Sequence, residues 1–409
     1  MENIIGLKKA EKLAKRFQMG LIRYRLVRGF VNYFIIKNKP SSCVYVWPPF
    51  KIGTDDINNF KILENGRHYL KKLNIDIEYF IESKNNIQRY SSKFPYKNST
   101  PQGFVSINVA KKIIKNVRFC AIWKPIGIKL ASSFRPTFYN VENGSGHNDV
   151  IEWLRLTSDI FEKNFGGPKN AFKVPPTKFN SCAVLGTGPS YEHFLENQYF
   201  HDSWIGANSI VCDERLLKIN AAFAICIIDP FIFSANPSMK PTLEGLFLYL
   251  KKTSAVFITT KTLAAYVELN FPDELISKCY YSPALGRDSF NTKILSPSGE
   301  FTIIPYGNVL TDLMLPLASV ISEKVVIYGC DGKDPKSIGN FEKSAAIELI
   351  DELQLEDIKK ILDFTKYDAY IDRHNIFTKY VINECNKLGA KISIIKKSWN
   401  TGLQNLKIE

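Results

Sequence analysis

The sequence predicts an α/β protein whose C-terminal part is a mostly parallel sheet flanked by helices. Short apolar runs alternate with helical patterns from about residue 180 onward, and most of these runs end in small or polar residues. One run stops abruptly at the loop Gly-Thr-Gly-Pro-Ser of residues 186–190. A smaller mixed α/β region and a basic amphipathic helix are predicted to precede this sheet.

Composition places the chain among globular proteins. Its 409 residues are enough for two or three domains, and 45% hydrophobic residues exclude a disordered class. The eight cysteines are scattered without a CxxC pair, which favours free thiols in a reducing compartment over a disulfide framework or a zinc site. Without a long apolar span or a secretory signal, we expect a cytoplasmic protein.

Positive charge is concentrated at the N-terminus. Residues 1–39 carry ten Lys or Arg against the two acidic residues Glu2 and Glu11, and the basic residues alternate with apolar and aromatic ones. A helix of this kind suits the anionic inner face of the plasma membrane, which makes peripheral attachment one expectation. A solvated helix packed on its own domain is the alternative. Nucleic acid is not an expected partner, because no nucleic-acid-binding module is recognised.

Three segments are predicted along the chain: a basic helical segment at 1–39, an N-terminal α/β region of unknown role at 40–175, and a catalytic domain at 176–409. The last boundary lies in a stretch rich in Gly and Pro. The N-terminal patterns predict strands at 43–47, 75–81 and 117–122, and helices at 55–73 and 150–165.

The catalytic domain is expected to be Rossmann-like. Its predicted strands lie at 182–186, 203–207, 222–228, 255–259, 302–304, 324–329 and 391–395. Its predicted helices lie at 190–197, 243–252, 261–268, 308–321, 344–363 and 374–388. Ligands of such sheets bind beyond the carboxyl ends of the strands, so the residues that follow each strand are the candidate site.

The loop after the first of these strands predicts a phosphate or nucleotide cradle. Gly186 and Gly188 would let backbone N–H groups approach a ligand closely, and a helix N-terminus favours negative charge. Thr187 and Pro189 complete the loop, and Ser190 is predicted to cap the following helix.

Polar residues also follow the later strands. Asn208 and Ser209 follow the second, Asp229 follows the third, and Asp331 follows the strand at 324–329. Because parallel strands place their carboxyl ends along one edge, these side chains are expected to converge there and to bind a nucleotide.

Together, Gly186-x-Gly188-Pro189-Ser190, Asn208, Asp229-Pro230 and Gly329-Cys330-Asp331 resemble the bacterial sialyltransferases of glycosyltransferase family 42. The resemblance covers roughly residues 180–400. It implies transfer of sialic acid, a related nonulosonate or Kdo from a CMP-sugar to a surface-glycan acceptor. The product would be part of a lipopolysaccharide or capsule, and a lipid-linked acceptor is one expectation. No cofactor is implied, and no metal, because CMP carries a single phosphate.

The same resemblance implies roles for individual residues. His374 opens the helix before the last predicted strand, where the family has its catalytic base. Gly307 and Asn308 stand at a helix start that contacts the donor. Lys333, with Lys336 as the alternative, stands where the family has two tyrosines and would stabilise the leaving phosphate. Thr187 and Asp229 each replace an Asn of the family, which leaves the identity of the sugar open.

Two other functions stay open. A pterin pyrophosphokinase-like protein has a similar glycine loop and would bind ATP and Mg²⁺ through Asp229 and Asp331. The other open function is that of a non-catalytic Rossmann scaffold for interactions with partners. The oligomeric state is also undetermined, with a homo-oligomer as one expectation.

Overall fold

A computed structural model of the chain describes residues 43–47, 50–51, 61–83, 86–91, 104–105, 119–122, 137–140, 148–168, 170–174, 178–197, 200–219, 222–234, 239–282, 308–332 and 367–409. The predicted basic helix at 1–39, the strand at 302–304 and the helix at 344–363 lie outside these residues. The chain divides into two compact units: Met1–Leu63 with Asn74–Glu142, and Glu64–Leu73 with Asn143–Glu409.

The first unit contains a mixed seven-stranded sheet. Its order is β5-β4-β3-β1-β6-β7, with β2 paired to β3. The pairs that involve β4 are antiparallel and the others are parallel. The strands are β1 (Cys43–Trp47), β2 (Phe50–Lys51), β3 (Asp76–Ser83), β4 (Asn86–Ser91), β5 (Phe104–Val105), β6 (Phe119–Ile122) and β7 (Thr137–Asn140). The three strands predicted in this region are therefore confirmed as β1, β3 and β6.

The second unit contains an eight-stranded sheet in which every pair is parallel. Its order is β12-β11-β10-β9-β8-β13-β14-β15, which confirms the predicted fold class. The strands are β8 (Phe179–Leu185), β9 (Ser203–Ala207), β10 (Ala222–Cys226), β11 (Val256–Thr260), β12 (Cys279–Ser282), β13 (Ser322–Tyr328), β14 (Lys391–Ile394) and β15 (Lys407–Ile408). Strands β12 and β15 were not predicted; both are short and form the two edges of the sheet.

Helices follow most of these strands. The helices among the described residues are α1 (Lys61–Leu70), α2 (Asn148–Phe165), α3 (Glu192–Asn197), α4 (Lys240–Lys252), α5 (Lys261–Asn270), α6 (Asp273–Ile276), α7 (Leu315–Ile321) and α8 (Tyr367–Lys387). None of them is long and apolar enough to cross a membrane. Buried residues of β8 and β13, such as Val184 and Val325, pack in one core with Leu317 of α7 and Val381 of α8.

The helix predicted at 308–321 has an irregular first half. Leu310–Met314 forms a π-helical turn before α7 begins. Pro316 lacks an N–H and cannot continue the regular bonding of an α-helix at this point, which accounts for the wider turn. Leu310 and Met314 both line the cleft described below.

The chain order creates a crevice in the second sheet. From β8 the chain adds strands outward on one side as far as β12, and then β13–β15 build the other side. The strand order therefore reverses between β8 and β13, and open α/β sheets bind ligands outside the carboxyl ends of the strands at such a point.

Candidate functional site

A cleft of about 290 Å³ lies at this crevice. It is formed by the segments that follow β8, β9, β13 and β14, together with the π-helical turn and helix α8. Its lining residues are Gly186, Thr187, Ala207, Asn208, Asn308, Val309, Leu310, Met314, Gly329, Cys330, Gly332, His374, Asn375, Trp399 and Asn400. Five of the predicted site residues are among them: Gly186, Thr187, Asn208, Asn308 and His374.

The glycine loop packs against the loop after β13. The Gly188 N–H donates to the Gly329 carbonyl at 2.7 Å, and a Cβ on Gly188 would lie 2.8 Å from that oxygen. The Gly186 N–H likewise donates to the Tyr328 carbonyl at 2.8 Å. Both N–H groups therefore donate to backbone carbonyls in this structure, and glycine is required here for close approach of two backbones. That the two glycines also bind a ligand stays a prediction. Thr187, between them, lines the cleft.

Ser190 and Asp331 join the same two loops. The Ser190 hydroxyl accepts from the Gly329 N–H at 2.8 Å, and the Ser190 N–H donates to the Asp331 carboxylate at 2.9 Å. The predicted N-cap is thus wrong, because Ser190 lies inside the 3₁₀ turn Pro189–Tyr191 and its hydroxyl accepts from the Gly329 N–H. Pro189, Ser190 and Asp331 are not lining residues of the cleft, and the hydrogen bonds of Ser190 and Asp331 hold two of its loops together.

Asn208 has the geometry of a ligand contact. Its backbone adopts φ +55°, which is uncommon for a residue other than glycine, and the residue lines the cleft. Its Oδ1 is buried and has no hydrogen-bond partner among the described residues. A strained backbone and an unsatisfied buried acceptor are both features that concentrate at functional sites. Its neighbour Ser209 does not line the cleft.

The remaining predicted carboxylate, Asp229, also accepts a hydrogen bond from the backbone. Its Oδ1 accepts from the Phe231 N–H at 2.9 Å and caps the 3₁₀ turn Pro230–Phe233. Asp229 is not a lining residue of the cleft. Within the described part of the chain, no three His, Cys, Asp or Glu side chains are grouped so that they could hold a metal ion.

At the helix start, Asn308 lines the cleft and its Oδ1 accepts from the Leu310 N–H at 2.8 Å. The predicted donor contact Gly307 and the predicted phosphate-stabilising Lys333 lie outside the described residues. Their roles stay predictions.

His374 lies in the cleft, and Asn400 defines its hydrogen bonding. Asn400 Nδ2 is 3.2 Å from His374 Nε2. Asn400 Oδ1 accepts from the Gly402 N–H at 2.9 Å, which can only donate, so the amide nitrogen is the atom that faces the imidazole. The Nε2 atom of His374 therefore accepts, and the single proton of the neutral ring is on Nδ1.

Burial keeps this ring uncharged. Desolvation lowers the pKa of His374 from its ordinary 6.5 to about 4. An amide N–H aimed at Nε2 also disfavours a second ring proton there. At neutral pH the His374 ring is consequently uncharged, and its Nε2 is an acceptor.

Replacing Asn400 by Asp is expected to raise the pKa of His374 above about 4, because a carboxylate beside Nε2 favours the protonated ring. NMR titration of the five histidines measures it, with the His374 signal assigned from a His374→Gln variant. Asn375→Asp is the matched control, since it adds the same charge to the cleft lining without replacing the group on Nε2. Equal shifts in both variants would contradict the Asn400 contact.

Several lining residues were missed by the sequence analysis. Asn375, Trp399 and Asn400 belong to the site, and the last two follow strand β14. Ligands bind beyond the carboxyl ends of parallel strands, which is the signal that selected Asn208. For the last predicted strand, at 391–395, the same signal points to this segment.

Comparisons with known proteins give limited information. No family model and no curated protein matches the chain. Among solved structures, the chain is similar to the MAf glycosyltransferase from Magnetospirillum magneticum AMB-1, with 15% identity and a TM-score of 0.32. The match covers 57% of this chain and 37% of that chain, so the chain spans little more than a third of that protein's length. The resemblance to glycosyltransferase family 42 stays a prediction.

Proposed function

We propose that the second unit is a glycosyltransferase that moves a nonulosonate, such as sialic acid or Kdo, from a CMP-sugar to a glycan acceptor. The observation that carries the proposal is that Asn208, with its unsatisfied acceptor, and His374, with its neutral ring, line one cleft at the crevice of a parallel sheet. The sequence resemblance supplies the choice of CMP-sugar.

Asn208 marks the donor end of the cleft in this proposal. A buried carbonyl oxygen without a partner costs about 1–3 kcal/mol until a donor reaches it. The amino group of cytosine and the ribose hydroxyls are such donors. Thr187, which lines the cleft after the neighbouring strand β8, is the proposed phosphate contact.

His374 is the proposed general base. The bond from the anomeric carbon to the phosphate oxygen breaks, with its electron pair leaving on CMP, and the acceptor oxygen bonds to that carbon. The acceptor proton passes to His374 Nε2, so the Asn400 N–H must give way to the acceptor hydroxyl. A ring with a pKa near 4 is a weak base, and it takes this proton only after the forming bond has acidified the hydroxyl.

The two carboxylates of the pyrophosphokinase alternative are less suitable in this structure. Asp229 and Asp331 each accept a backbone N–H, and neither lines the cleft. A CMP-sugar transferase of the proposed kind retains its activity in EDTA, whereas a kinase that requires Mg²⁺ does not.

The basic residues 1–39 would hold the enzyme beside a lipid-linked acceptor at an anionic membrane.

A thermal-shift panel tests the donor class. CMP, CMP-sialic acid and CMP-Kdo are expected to raise the melting temperature, whereas UDP-sugars and ATP with Mg²⁺ are not. A shift with UDP-sugars or ATP alone would reject the proposal, and no shift with any nucleotide would favour the scaffold alternative.

Asn208→Gly sharpens that test. Glycine tolerates φ +55° and removes the side-chain amide, including the unsatisfied acceptor. We expect the variant to fold normally and to bind CMP about tenfold more weakly, which corresponds to about 1.4 kcal/mol for one lost hydrogen bond. Ser209→Gly is the matched control, since Ser209 does not line the cleft. Unchanged CMP affinity in Asn208→Gly would place the nucleotide elsewhere.

A further inference from the structure

The cleft has two ends, set by the order of four neighbouring strands. In the sheet these are β9, β8, β13 and β14. Asn208 follows β9 at one end, and Trp399 follows β14 at the other. Neighbouring strands lie about 4.8 Å apart, so three intervals separate the two ends by roughly 14 Å. Groups bound at the two ends are therefore far enough apart to be different parts of what the cleft binds.

Trp399 is unlike the other tryptophans whose side chains the structure describes. Trp153 and Trp204 are 0% and 1% exposed, whereas Trp399 is 52% exposed and lines the cleft. An indole carries a large apolar surface, and leaving half of it in water forgoes burial that the other two obtain.

The backbone beneath this indole is held firmly. The Trp399 N–H donates to the Asp331 carbonyl at 2.6 Å. The hydroxyl of the preceding Ser398 donates to the carbonyls of Cys330 at 2.8 Å and Asp331 at 3.0 Å. At Gly332, which has φ +74°, a Cβ would lie 2.7 Å from the Asn400 nitrogen. The exposed ring is thus presented by a fixed segment, as preorganised recognition requires.

The position of Trp399 indicates what it recognises. The next residue, Asn400, contacts His374 Nε2, the proposed proton acceptor. A group stacked on Trp399 therefore lies at the acceptor side of the reaction, away from Asn208. Pyranose rings offer an apolar C–H face, and a half-exposed indole is a flat apolar surface of matching size.

We propose that Trp399 is the platform of an acceptor subsite, on which the terminal pyranose of the acceptor glycan stacks. Its assignment as the acceptor side rests on the proposed function. The stacking itself depends only on the exposed, rigidly held indole at the cleft.

Fluorine NMR on protein labelled with 5-fluorotryptophan tests the platform directly. The Trp399 signal is assigned from a Trp399→Phe variant, and lactose and maltose serve as pyranoside probes with glycerol as the control. We expect both disaccharides, but neither glycerol nor CMP, to shift the Trp399 signal. A shift caused by CMP instead would show that the indole stacks on the nucleobase and would overturn the proposal. No shift with either disaccharide would also overturn it.

Kinetics separate this proposal from the proposed function. With CMP-sialic acid and lactose, Trp399→Ala is expected to raise the acceptor KM about tenfold and Trp399→Phe much less, while donor hydrolysis without acceptor stays unchanged. Equal loss of hydrolysis would make Trp399 a donor contact and reject the acceptor subsite. If CMP fails to stabilise the protein but lactose still shifts the Trp399 signal, the proposed function fails and the sugar platform stands.

Discussion

His374→Ala is expected to reduce glycosyl transfer by 10²- to 10⁴-fold while leaving stabilisation by CMP in place. The reason is positional: the imidazole lines the same cleft as Asn208, but its Nε2 faces Asn400 at the acceptor side. Removing the ring deletes the proton acceptor and leaves the donor contacts intact. Transfer is measured with a CMP-sugar and an acceptor, and CMP binding by thermal shift.

His193→Ala is the matched control for this variant. His193 lies on α3 with its side chain 51% exposed beside Glu196, and it does not line the cleft. Both activity and CMP binding should survive its replacement. If His374→Ala loses CMP binding as well, His374 is a donor contact. If transfer persists at the wild-type rate, the base is another group.

Gly329→Ala is expected to lower the free energy of unfolding by about 2–4 kcal/mol. Gly329 has φ +65°, and an added Cβ would also collide with the backbone of Gly186 and meet the Tyr191 Cβ at 3.1 Å. Backbone strain contributes about 1 kcal/mol and the overpacked contact about 1–3 kcal/mol. Urea denaturation measures the loss.

Gly389→Ala separates those two contributions. Gly389 has φ +89°, but an added Cβ there meets nothing within 4 Å. The decrease in the free energy of unfolding of Gly389→Ala should therefore reflect backbone strain alone, about 1 kcal/mol. Equal losses in the two variants would mean that the Gly186 and Gly329 loops can separate at little cost. In that case the glycine loop would not be the rigid wall that its hydrogen bonds indicate.

Local patterns were sufficient for most of the parallel sheet. Strands β8, β9, β10, β11, β13 and β14 were each predicted from a run of apolar residues, because a strand buried on both faces carries such a run. The edge strand β15 was missed for the converse reason. Lys407–Ile408 is exposed and only two residues long, so neither burial nor periodicity marks it in the sequence. The other edge strand, β12, is mostly buried but only four residues long, too short for a clear pattern.

The site was predictable only in part. Strand ends correctly selected Asn208 and Thr187, since residues that follow parallel strands meet at one edge. The same rule selected Asp229, Ser190 and Asp331, which the structure assigns to a capped turn and to the contact between two loops. A polar residue at a strand end suits a ligand and a turn equally well, and sequence does not distinguish them.

By itself the sequence predicted a strand at 182–186 that ends at a glycine loop, and placed His374 on a later helix. Tertiary structure decided what those glycines are for. Gly186 and Gly188 allow the backbone after β8 to lie against the backbone after β13, a partner about 140 residues away in the chain. It also decided that Asn400 holds the proton of His374 on Nδ1, because hydrogen-bond direction depends on atoms that only folding brings together.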